Sequence, residues 1–440
     1  MSEILGNIYA KNLRYEWQKG ETIMIIKKYV TDIFNKKYYV EQEIKIEENL
    51  KEENNIINIH PEKTYQDWLG LGGALTNSTT YNLNKLSDEK RDDLLNDYFK
   101  ELNYKFVRIP LGSTDFSVTP EEDYSNDLET NIKILQKIKE ITDIKTILTP
   151  WSPPKRFKTN NSLYGGTLKK ECYDDYADYL VKAISNYEFM NINIDWLSPQ
   201  NEPFASQIWE SCKFSIKDLK DFIYNYLAPK LKNTKLIIWD HNKDNLYNNF
   251  KALYEKNSKV KGVAFHWYTG SFLEEMDLIR ENYPDILQIE TEMCCGFSRY
   301  KPKKWVIDAE YYLTEIISGM HHGLNAFLDW NMLLSFLGGP NHRFNNCKSA
   351  VILNKRKNDY IKTPIYHYLK HIGQIGTAKV VATSKFARDC SLDAIALKNE
   401  KLYVVIQNKS KRSQKINIRI GNELIKDKIN GHSVITYVRD

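Results

Sequence analysis

The sequence predicts an α/β protein, a (β/α)8 TIM barrel with a side β-sandwich domain built from the N- and C-terminal segments. Eight strand-like segments alternate with helical patterns in the middle of the chain. Both chain ends are rich in β-branched and aromatic residues at strand spacing. The length of 440 residues and the 42% hydrophobic content allow a large core. Repeated strand–helix units imply parallel strands, and eight such units close into a barrel.

The two ends of the chain read as strands separated by Gly, Asn and Lys turns. The N-terminal candidates are Thr22–Lys28, Tyr38–Ile46 and Ile56–His60. The C-terminal candidates are Ala378–Ser384, Asp393–Lys398, Lys401–Asn408, Ser413–Ile420 and Ser433–Val438. We therefore predict one all-β domain from residues 1–61 together with 374–440, and a barrel from residues 62–373.

The central part supplies the barrel strands. The candidates are Trp68–Gly72, Lys105–Leu111, Lys145–Pro150, Asn193–Pro199, Lys235–Asp240, Gly262–Tyr268, Ile286–Glu292 and Leu324–Asn331. Helical spacing of apolar residues follows several of them, in Leu86–Leu102, Asp127–Ile141, Tyr173–Tyr187, Ile216–Leu231 and Asp308–Met320. The alternative is an open doubly wound sheet. It is disfavoured because the Gly-rich stretch 69–73 lacks GxGxxG spacing and no clear helix opens directly behind it.

Composition narrows the class of protein. The 62 basic and 57 acidic residues nearly balance, which predicts neither nucleic-acid binding nor stable membrane insertion. No signal peptide or membrane-spanning run is visible, so we expect a cytoplasmic protein. The scattered cysteines predict reduced thiols and no metal site, and we expect no cofactor. The oligomeric state stays open.

Polar and aromatic residues follow the predicted strands. In a barrel, the C-terminal ends of the strands meet at one mouth, which is where active sites lie. The residues at these ends are Arg108, Asp115, Trp151, Asn201, Glu202, Asp240, His241, His266, Trp267, Tyr268, Glu290, Glu292, Asp329, Trp330 and Asn331. Carboxylates and amides can bind sugar hydroxyls, and aromatic rings can stack on the apolar face of a pyranose. The set therefore suits a carbohydrate.

Glycoside hydrolysis requires two carboxyl groups on either side of the scissile bond. Glu202, in the Asn-Glu-Pro sequence that ends the fourth strand, is one candidate, although it could equally cap the following segment. On the seventh strand, Glu290 and Glu292 are two residues apart, so we expect both to point to the same face. Glu292 is nearer the C-terminal end of the strand, which favours it over Glu290 as the second catalytic carboxylate. Glu290 would then lie one layer deeper and pair with Arg108 or another cation.

Other residues at the strand ends have simpler interpretations. Trp151, Trp330 and Tyr268 could be packing residues. His266 reads as a hydrogen-bonded core histidine rather than a base. Asp240 and His241 could pair behind the site or form a turn. Cys294 and Cys295 read as small packing residues, because the helix terminus and histidine that would activate a thiol are not identifiable.

Several motifs occur together in a fixed order. They are Gly70-Leu71-Gly72-Gly73-Ala74-Leu75-Thr76, Arg108-Ile109-Pro110, Thr114-Asp115-Phe116-Ser117, Pro150-Trp151-Ser152-Pro153, Gln200-Asn201-Glu202-Pro203, His266-Trp267-Tyr268, Glu292-Met293-Cys294-Cys295-Gly296, Asp329-Trp330-Asn331 and Gly338-Gly339-Pro340-Asn341. Over roughly residues 68–346 this pattern resembles glycoside hydrolase family 30. The resemblance is greatest to the branch that contains lysosomal glucosylceramidase and bacterial β-glucosidases.

The resemblance implies residue roles. Glu202 is expected to be the catalytic acid/base and Glu292 the nucleophile, with Arg108 and Tyr268 orienting the nucleophile. The expected substrate-binding residues are Asp115, Trp151, Asn201, Tyr268, Trp330 and Asn345. The sequence departs from the family pattern at Asn77, where Asp is common, and at Asn346-Cys347-Lys348, where Phe-Cys-Asp is more usual.

The function implied by the resemblance is that of a retaining exo-β-glycosidase, a β-glucosidase or glucosylceramidase-like enzyme that acts on a small carbohydrate or glycoside. Alternatives on the same scaffold are a β-xylosidase, a β-1,6-glucanase and a β-fucosidase. A non-catalytic carbohydrate-binding protein is a further alternative, which the presence of both carboxylates disfavours. The aglycone stays open.

Overall fold

The computed structural model describes residues 14–18, 21–48, 56–117, 125–385 and 391–440. Its contacts divide the chain into two compact units. One contains Leu69–Lys301 and His322–Tyr366, and the other contains Met1–Trp68, Pro302–His321 and His367–Asp440. The predicted domain limits at residues 61 and 373 stay a prediction.

The N-terminal part of the all-β unit contributes four strands. They are β1 (Arg14–Gln18), β2 (Glu21–Asp32), β3 (Lys37–Glu48) and β4 (Ile56–Trp68). The strand β4 extends well past the predicted Ile56–His60 segment. Exposed and half-buried residues largely alternate in its second half before the buried Trp68, as expected for a strand with one solvated face.

The barrel unit follows without a long connection. Its strands are β5 (Gly70–Ala74), β6 (Phe106–Leu111), β7 (Lys145–Pro150), β8 (Trp196–Leu197), β9 (Lys235–Asn242), β10 (Val260–His266), β11 (Leu287–Met293) and β12 (Leu324–Asp329). Among the described residues these parallel strands close into a barrel, in the order β5 to β12. All eight predicted strands are therefore present, although the fourth is only two residues long.

Eight α-helices of the described residues connect the barrel strands, and a ninth comes after the last of these strands. They are α1 (Asn77–Leu83), α2 (Asp88–Asn96), α3 (Ser125–Ile141), α4 (Tyr173–Phe189), α5 (Ile216–Asp221), α6 (Leu246–Leu253), α7 (Leu273–Asn282), α8 (Pro302–His321) and α9 (Pro364–Gly373). Ser87 and Ser215 cap α2 and α5 with their side-chain oxygens. In the part of the chain that the structure describes, no helix has the length and apolarity needed to cross a membrane.

One layer of side chains fills the barrel interior. Phe106, Ile147, Trp196, Ile237, Ala264, Ile289, Ala326 and Leu328 form this buried cluster. Because successive residues of a strand face opposite sides, the cluster shows which residues of each strand point inward. A small three-stranded sheet, β13 (Leu334–Ser335), β14 (Val351–Asn354) and β15 (Asp359–Lys362), comes after the last barrel strand.

The C-terminal strands complete the all-β unit. They are β16 (Ala378–Lys385), β17 (Leu392–Lys398), β18 (Leu402–Asn408), β19 (Gln414–Ile420), β20 (Glu423–Ile429) and β21 (Ser433–Arg439). Over the described residues they form one ten-stranded sheet with β1 to β4. The sheet folds back on itself, since β3 pairs with both β20 and β2. It encloses an aliphatic core from both chain ends, which confirms the predicted fold class.

Helix α8 groups with this unit although it lies between β11 and β12 in the chain. Thr314 of α8 donates a hydrogen bond of 2.7 Å to Asp393, and Gln407 donates one of 3.3 Å to the Glu310 carbonyl oxygen. The sequence predicted this helix only over Asp308–Met320, and it begins six residues earlier, at Pro302, a favoured first helical residue.

We predict that Gly72→Ala destabilises the barrel. Gly72 pairs with Phe106 on the neighbouring strand, and an added Cβ would lie 2.5 Å from the Phe106 carbonyl oxygen. The Phe106 backbone cannot move aside without disturbing the pairing of the two strands. We therefore expect the free energy of unfolding to fall by about 2–3 kcal/mol. Thermal or urea denaturation measures the change. Gly296→Ala is the control, because its Cβ would meet nothing within 4 Å. Equal midpoints for the two variants would contradict the prediction.

Candidate active site

A cavity of about 340 Å³ opens at the C-terminal ends of the barrel strands. This volume lies within the range of small-molecule sites. The sequence-predicted residues that line the cavity are Asp115, Trp151, Asn201, Glu202, Tyr268, Glu292, Trp330 and Asn345. Arg108, the remaining predicted residue, lies beneath the cavity and is fully buried. The structure thus brings all nine together, while their roles stay a prediction.

Glu202 lies on a tightly bent segment after β8. Its φ angle is +44°, in the left-handed region that a non-glycine residue rarely adopts. The Glu202 amide donates a 2.9 Å hydrogen bond to the carbonyl oxygen of Asp240, and the Asn201 amide donates one to Pro150. Asp240 itself has φ +50°. Non-glycine residues in this conformation persist only where the surrounding structure fixes them, often at functional sites.

Glu292 reaches the cavity through a bulge in β11. Glu290 is aligned with Phe265 on β10, but Glu292 is aligned with the next residue, His266, so Thr291 is an extra residue. Ile289 belongs to the interior layer, so the side chain of the next residue, Glu290, points away from the barrel interior. There the Glu290 carboxylate lies 3.9 Å from the Lys243 ammonium group. The expectation that Glu290 and Glu292 share a face is therefore wrong. The alternation of a regular strand does not hold across a bulge.

Arg108 joins three acceptors beneath the cavity. Its guanidinium donates hydrogen bonds to Glu292 at 2.6 Å, Asn201 at 2.7 Å and Asp240 at 2.9 Å. The planar, fixed arrangement of its N–H groups allows one side chain to do this. Its upper side packs on the ring of Trp151, 4.6 Å from the ring centre, and Trp151 stacks on Trp330. Arg108 therefore fixes Glu292, one carboxylate of the predicted pair, and Asn201, the amide that precedes the other carboxylate, Glu202.

Asp240 is the main counter-charge to this arginine. Burial raises the pKa of its carboxyl group, but the charge of Arg108 and the hydrogen bond and charge of His266 outweigh burial and hold the pKa well below its usual range. Ser198 and Thr291 each donate a 2.6 Å hydrogen bond to the carboxylate. Asp240 is thus ionised and paired with Arg108 and His266 behind the site, whereas the ring of His241 stacks on Phe204.

His266 lies between the two predicted catalytic carboxylates. Its Nδ1 is 3.3 Å from Glu202 Oε1, its Nε2 is 3.2 Å from Asp240 Oδ1, and Nε2 is 3.9 Å from Glu292 Oε2. Burial lowers the pKa of the imidazole. The charge of Glu292 and the hydrogen bonds to Asp240 and Glu202 outweigh burial and raise this pKa to about 10. His266 is a buried, hydrogen-bonded histidine, as predicted, but it also lies within 4 Å of both predicted catalytic carboxylates, Glu202 and Glu292.

The charge of His266 acts in turn on Glu202. Burial raises the pKa of the Glu202 carboxyl group, whereas the hydrogen bond and charge of His266 lower it by more, so the net pKa is below its ordinary value. In the ligand-free protein the proton therefore lies on His266, and Glu202 is ionised. The two groups are close enough to exchange that proton directly.

Tyr268 and Asp115 complete the predicted set. The Tyr268 hydroxyl donates a 3.0 Å hydrogen bond to Glu292 Oε1. Asp115 accepts a 2.8 Å hydrogen bond from Asn341, whose amide also donates to the Asn345 carbonyl oxygen. Burial, reinforced by the charge of Glu292, raises the pKa of Asp115 to about 7. This carboxyl group can therefore both donate and accept hydrogen bonds near neutral pH.

The comparison with known proteins agrees with this geometry. Residues 69–375 match the glycosyl hydrolase family 30 TIM-barrel domain. The chain belongs to glycosyl hydrolase family 30. This family 30 protein is 25% identical to the lysosomal acid glucosylceramidase of Mus musculus over 87% of its own length and 83% of that protein. It is an O-glycosyl hydrolase that acts on carbohydrates.

Two solved structures are similar to the family 30 chain over nearly its whole length. SrfJ from Salmonella typhimurium is 26% identical, with a TM-score of 0.87 over 95% of this chain and 100% of SrfJ. An endo-β1,6-glucanase is also 26% identical, with a TM-score of 0.81 over 94% of this chain and 99% of that one.

Six further described residues line the family 30 cavity, and sequence reasoning assigned none of them to it: Gln207, Trp209, Asn242, Cys294, Gly296 and Cys347. Gln207 and Trp209 lie on the loop after Glu202, and Gln207 Nε2 is 3.4 Å from Glu202 Oε2. Asn242, the last residue of β9, accepts a 3.0 Å hydrogen bond from the Tyr268 amide. The position of Asn242 two residues after Asp240 was a usable signal. Gln207 and Trp209 had no such signal in the sequence, because they lie within an irregular loop and not at the end of a strand.

We predict that His266→Gln reduces the loss of unfolding free energy as the pH rises from 6.5 towards 10. A folded-state pKa near 10 against an ordinary value of 6.5 means that the stabilisation from the protonated imidazole is fully present below pH 6.5 and is lost as the pH rises towards 10. The slope in this window is at most about 1.4 kcal/mol per pH unit. Urea unfolding of the wild type and the variant across the window measures it.

The matched control is His241→Gln. Burial lowers the pKa of the His241 imidazole, so its stabilisation is lost as the pH falls below 6.5 rather than as it rises. The control should leave the alkaline slope intact. An alkaline slope that survives in His266→Gln would show that His266 is not the titrating group.

Proposed function

We propose that this protein is a retaining exo-β-glucosidase that hydrolyses terminal β-D-glucosyl units by double displacement. The observation that supports this most directly is that Glu202 and Glu292 face one cavity and both lie within 4 Å of the same imidazole. The mechanism requires the two carboxyl groups to lie about 5–5.5 Å apart. The mouse relative, named a glucosylceramidase, supports glucose as the sugar.

Glu292 is suited to nucleophilic attack. Hydrogen bonds from Arg108 to Oε2 and from Tyr268 to Oε1 fix the orientation of its carboxyl group. In the first step a Glu292 oxygen bonds to the anomeric carbon, the glycosidic C–O bond breaks, and Glu202 protonates the leaving oxygen. In the second step Glu202 takes a proton from water, the water oxygen bonds to the anomeric carbon, and Glu292 leaves. Two inversions give net retention.

His266 supplies the proton that Glu202 needs. A general acid must be protonated, yet Glu202 is ionised in the ligand-free protein because His266 holds the proton. The charge of Glu292 is the largest influence that raises the pKa of His266. When Glu292 forms the covalent bond it loses that charge, so the proton becomes easier to release through the 3.3 Å contact to Glu202. Nucleophilic attack and acid catalysis are thereby coupled.

The walls of the cavity support exo action. The loop after β12 is tied to Asp115 by the Asn341 side chain and by the His342 amide, which donates a 3.0 Å hydrogen bond to the Asp115 carbonyl oxygen. This places a polar wall with a carboxyl group at one end of the cavity. Asp115 can bind the hydroxyls of a terminal sugar there, and Trp151 and Trp330 offer apolar surface.

An endo-β1,6-glucanase is the second candidate, because a solved enzyme of that name matches nearly the whole chain. The two functions differ in their products. We expect a β-1,6-linked glucan to release only glucose, at a low rate, because the Asp115 wall limits the site to terminal units. Chromatography of early products measures this. Oligosaccharides appearing before glucose would reject exo action and favour the glucanase.

We predict that the two carboxylate variants respond differently to the leaving group. Glu292→Gln should lose at least about 10⁴-fold in kcat on every substrate, because no covalent intermediate forms. Glu202→Gln should lose about 10²–10⁴-fold on alkyl glucosides but far less in the first step on a dinitrophenyl glucoside, whose leaving group needs no acid. Burst kinetics on both substrates separate the two steps. Equal losses for the two variants would contradict the assigned roles.

Trapping with a 2-fluoro glucoside and peptide mapping tests the nucleophile and the sugar together. We expect the label on Glu292, formed faster than with the corresponding xyloside or fucoside. Glu290 is the internal control, since it is two residues away and faces another direction. A label on Glu290, or faster labelling by the xyloside or fucoside, would overturn the nucleophile or the glucose assignment, respectively.

A further inference from the structure

Two thiols, Cys294 and Cys347, meet in the lining of the active-site cavity. Their sulfurs are 3.0 Å apart, and both residues are free cysteines. A disulfide requires a separation of about 2.0 Å, so a shift of about 1 Å joins them. We propose that this pair is a redox modification site, which closes to a reversible disulfide and thereby lowers the glycosidase activity.

The backbone holds the two thiols in position. Gly296 and Cys347 form an antiparallel bridge between the segment after β11 and the loop after β12. The Phe297 amide donates to the Asn346 carbonyl oxygen at 3.0 Å, and the Lys348 amide donates to the Cys295 carbonyl oxygen at 2.9 Å. These bonds flank the thiol pair on both segments. Main-chain pairing therefore holds the two segments side by side, and the cysteine side chains then bring their sulfurs into contact.

The cavity gives a small reagent access to the pair. Cys294 and Cys347 are 7% and 5% exposed, and what surface they have faces the cavity. The hydrogen bond to Cys347, together with burial, raises the pKa of the Cys294 thiol. Because the thiolate is the attacking form, closure is slow near neutral pH. A bulky macromolecular oxidant would not fit.

Closure would act on the nucleophile through Tyr268. The Tyr268 hydroxyl is 3.4 Å from the Cys294 sulfur and donates to Glu292 at 3.0 Å. Moving the Cys294 sulfur towards Cys347 removes one neighbour of that hydroxyl. It also fixes the loop that contains Asn345 to the end of β11. Shifts of about 1 Å among groups that orient a reaction cost up to about 10²-fold in rate.

The chemistry is thiol–disulfide exchange with a small organic disulfide. The thiolate of one cysteine attacks a reagent sulfur, the reagent S–S bond breaks, and one reagent thiolate leaves and takes up a proton. The second protein thiolate then attacks the protein sulfur of the mixed disulfide and expels the second reagent thiolate. The protein loses two hydrogen atoms and gains one S–S bond, while the reagent disulfide is reduced to two thiols.

The test treats the full-length protein with cystamine at mildly alkaline pH, then blocks the remaining thiols with iodoacetamide. Peptide mapping should show Cys294 joined to Cys347, with Cys172 outside that linkage, either alkylated or carrying one cysteamine. The activity readout, which rests on the proposed function, is kcat/KM on an aryl β-glucoside. It should fall about tenfold and recover with dithiothreitol. Each protein is compared with its own untreated sample.

Two variants make the result specific. Cys347→Ser should lose the internal linkage and carry at most a mixed disulfide on Cys294, whereas Cys295→Ser, which removes the adjacent buried thiol, should keep the 294–347 linkage. Absence of a 294–347 linkage in the oxidised wild type would overturn the modification site, whether or not the protein hydrolyses glucosides. A linkage with unchanged kcat/KM would overturn the effect on activity. A protein inactive even when reduced would instead point to failure of the proposed glucosidase function.

Discussion

Arg108 is fully buried and donates hydrogen bonds to Glu292, Asn201 and Asp240, which come from three different parts of the barrel. A buried charge is tolerated only where partners of opposite charge and hydrogen-bond acceptors surround it. The positions of these three side chains are therefore mutually dependent. The predicted nucleophile, the amide beside the predicted acid and the counter-charge behind both are held by one guanidinium.

The same arrangement sets the protonation of the site. Glu202, Asp240 and Glu292 are three carboxylates gathered around two cations, Arg108 and His266. With one proton on His266 the cluster is one negative charge in excess. In the proposed mechanism, formation of the covalent bond at Glu292 removes that excess, and the proton on His266 is then less strongly held. The strained backbone at Glu202 and Asp240 is maintained by the same contacts that keep these charges together.

Much of the architecture could be predicted because it follows from local patterns. Eight apolar strands separated by helices gave the barrel, and polar residues at strand ends gave Glu202, Glu292 and their neighbours. Irregular features could not be predicted in this way. The bulge at Thr291 changes which residues of β11 face inward. A prediction that assumes regular alternation of side chains along the strand cannot detect such a bulge. Gln207 and Trp209 reach the cavity from an irregular loop, and His266 acquires its importance only from tertiary neighbours.

The ten-stranded sheet has a consequence for how the chain is made. Strand β2 near the start pairs with β21 near the end, and Lys28 forms an ion pair with Asp427, 399 residues further along the chain. During synthesis β2 can pair early with β1 and β3, but the edge that meets β21 must wait until almost the whole polypeptide has left the ribosome. Strand edges whose backbone hydrogen-bond partners are made late can associate prematurely with other nascent chains. Productive expression should depend on holdase chaperones that cover the first strands until their distant partners arrive.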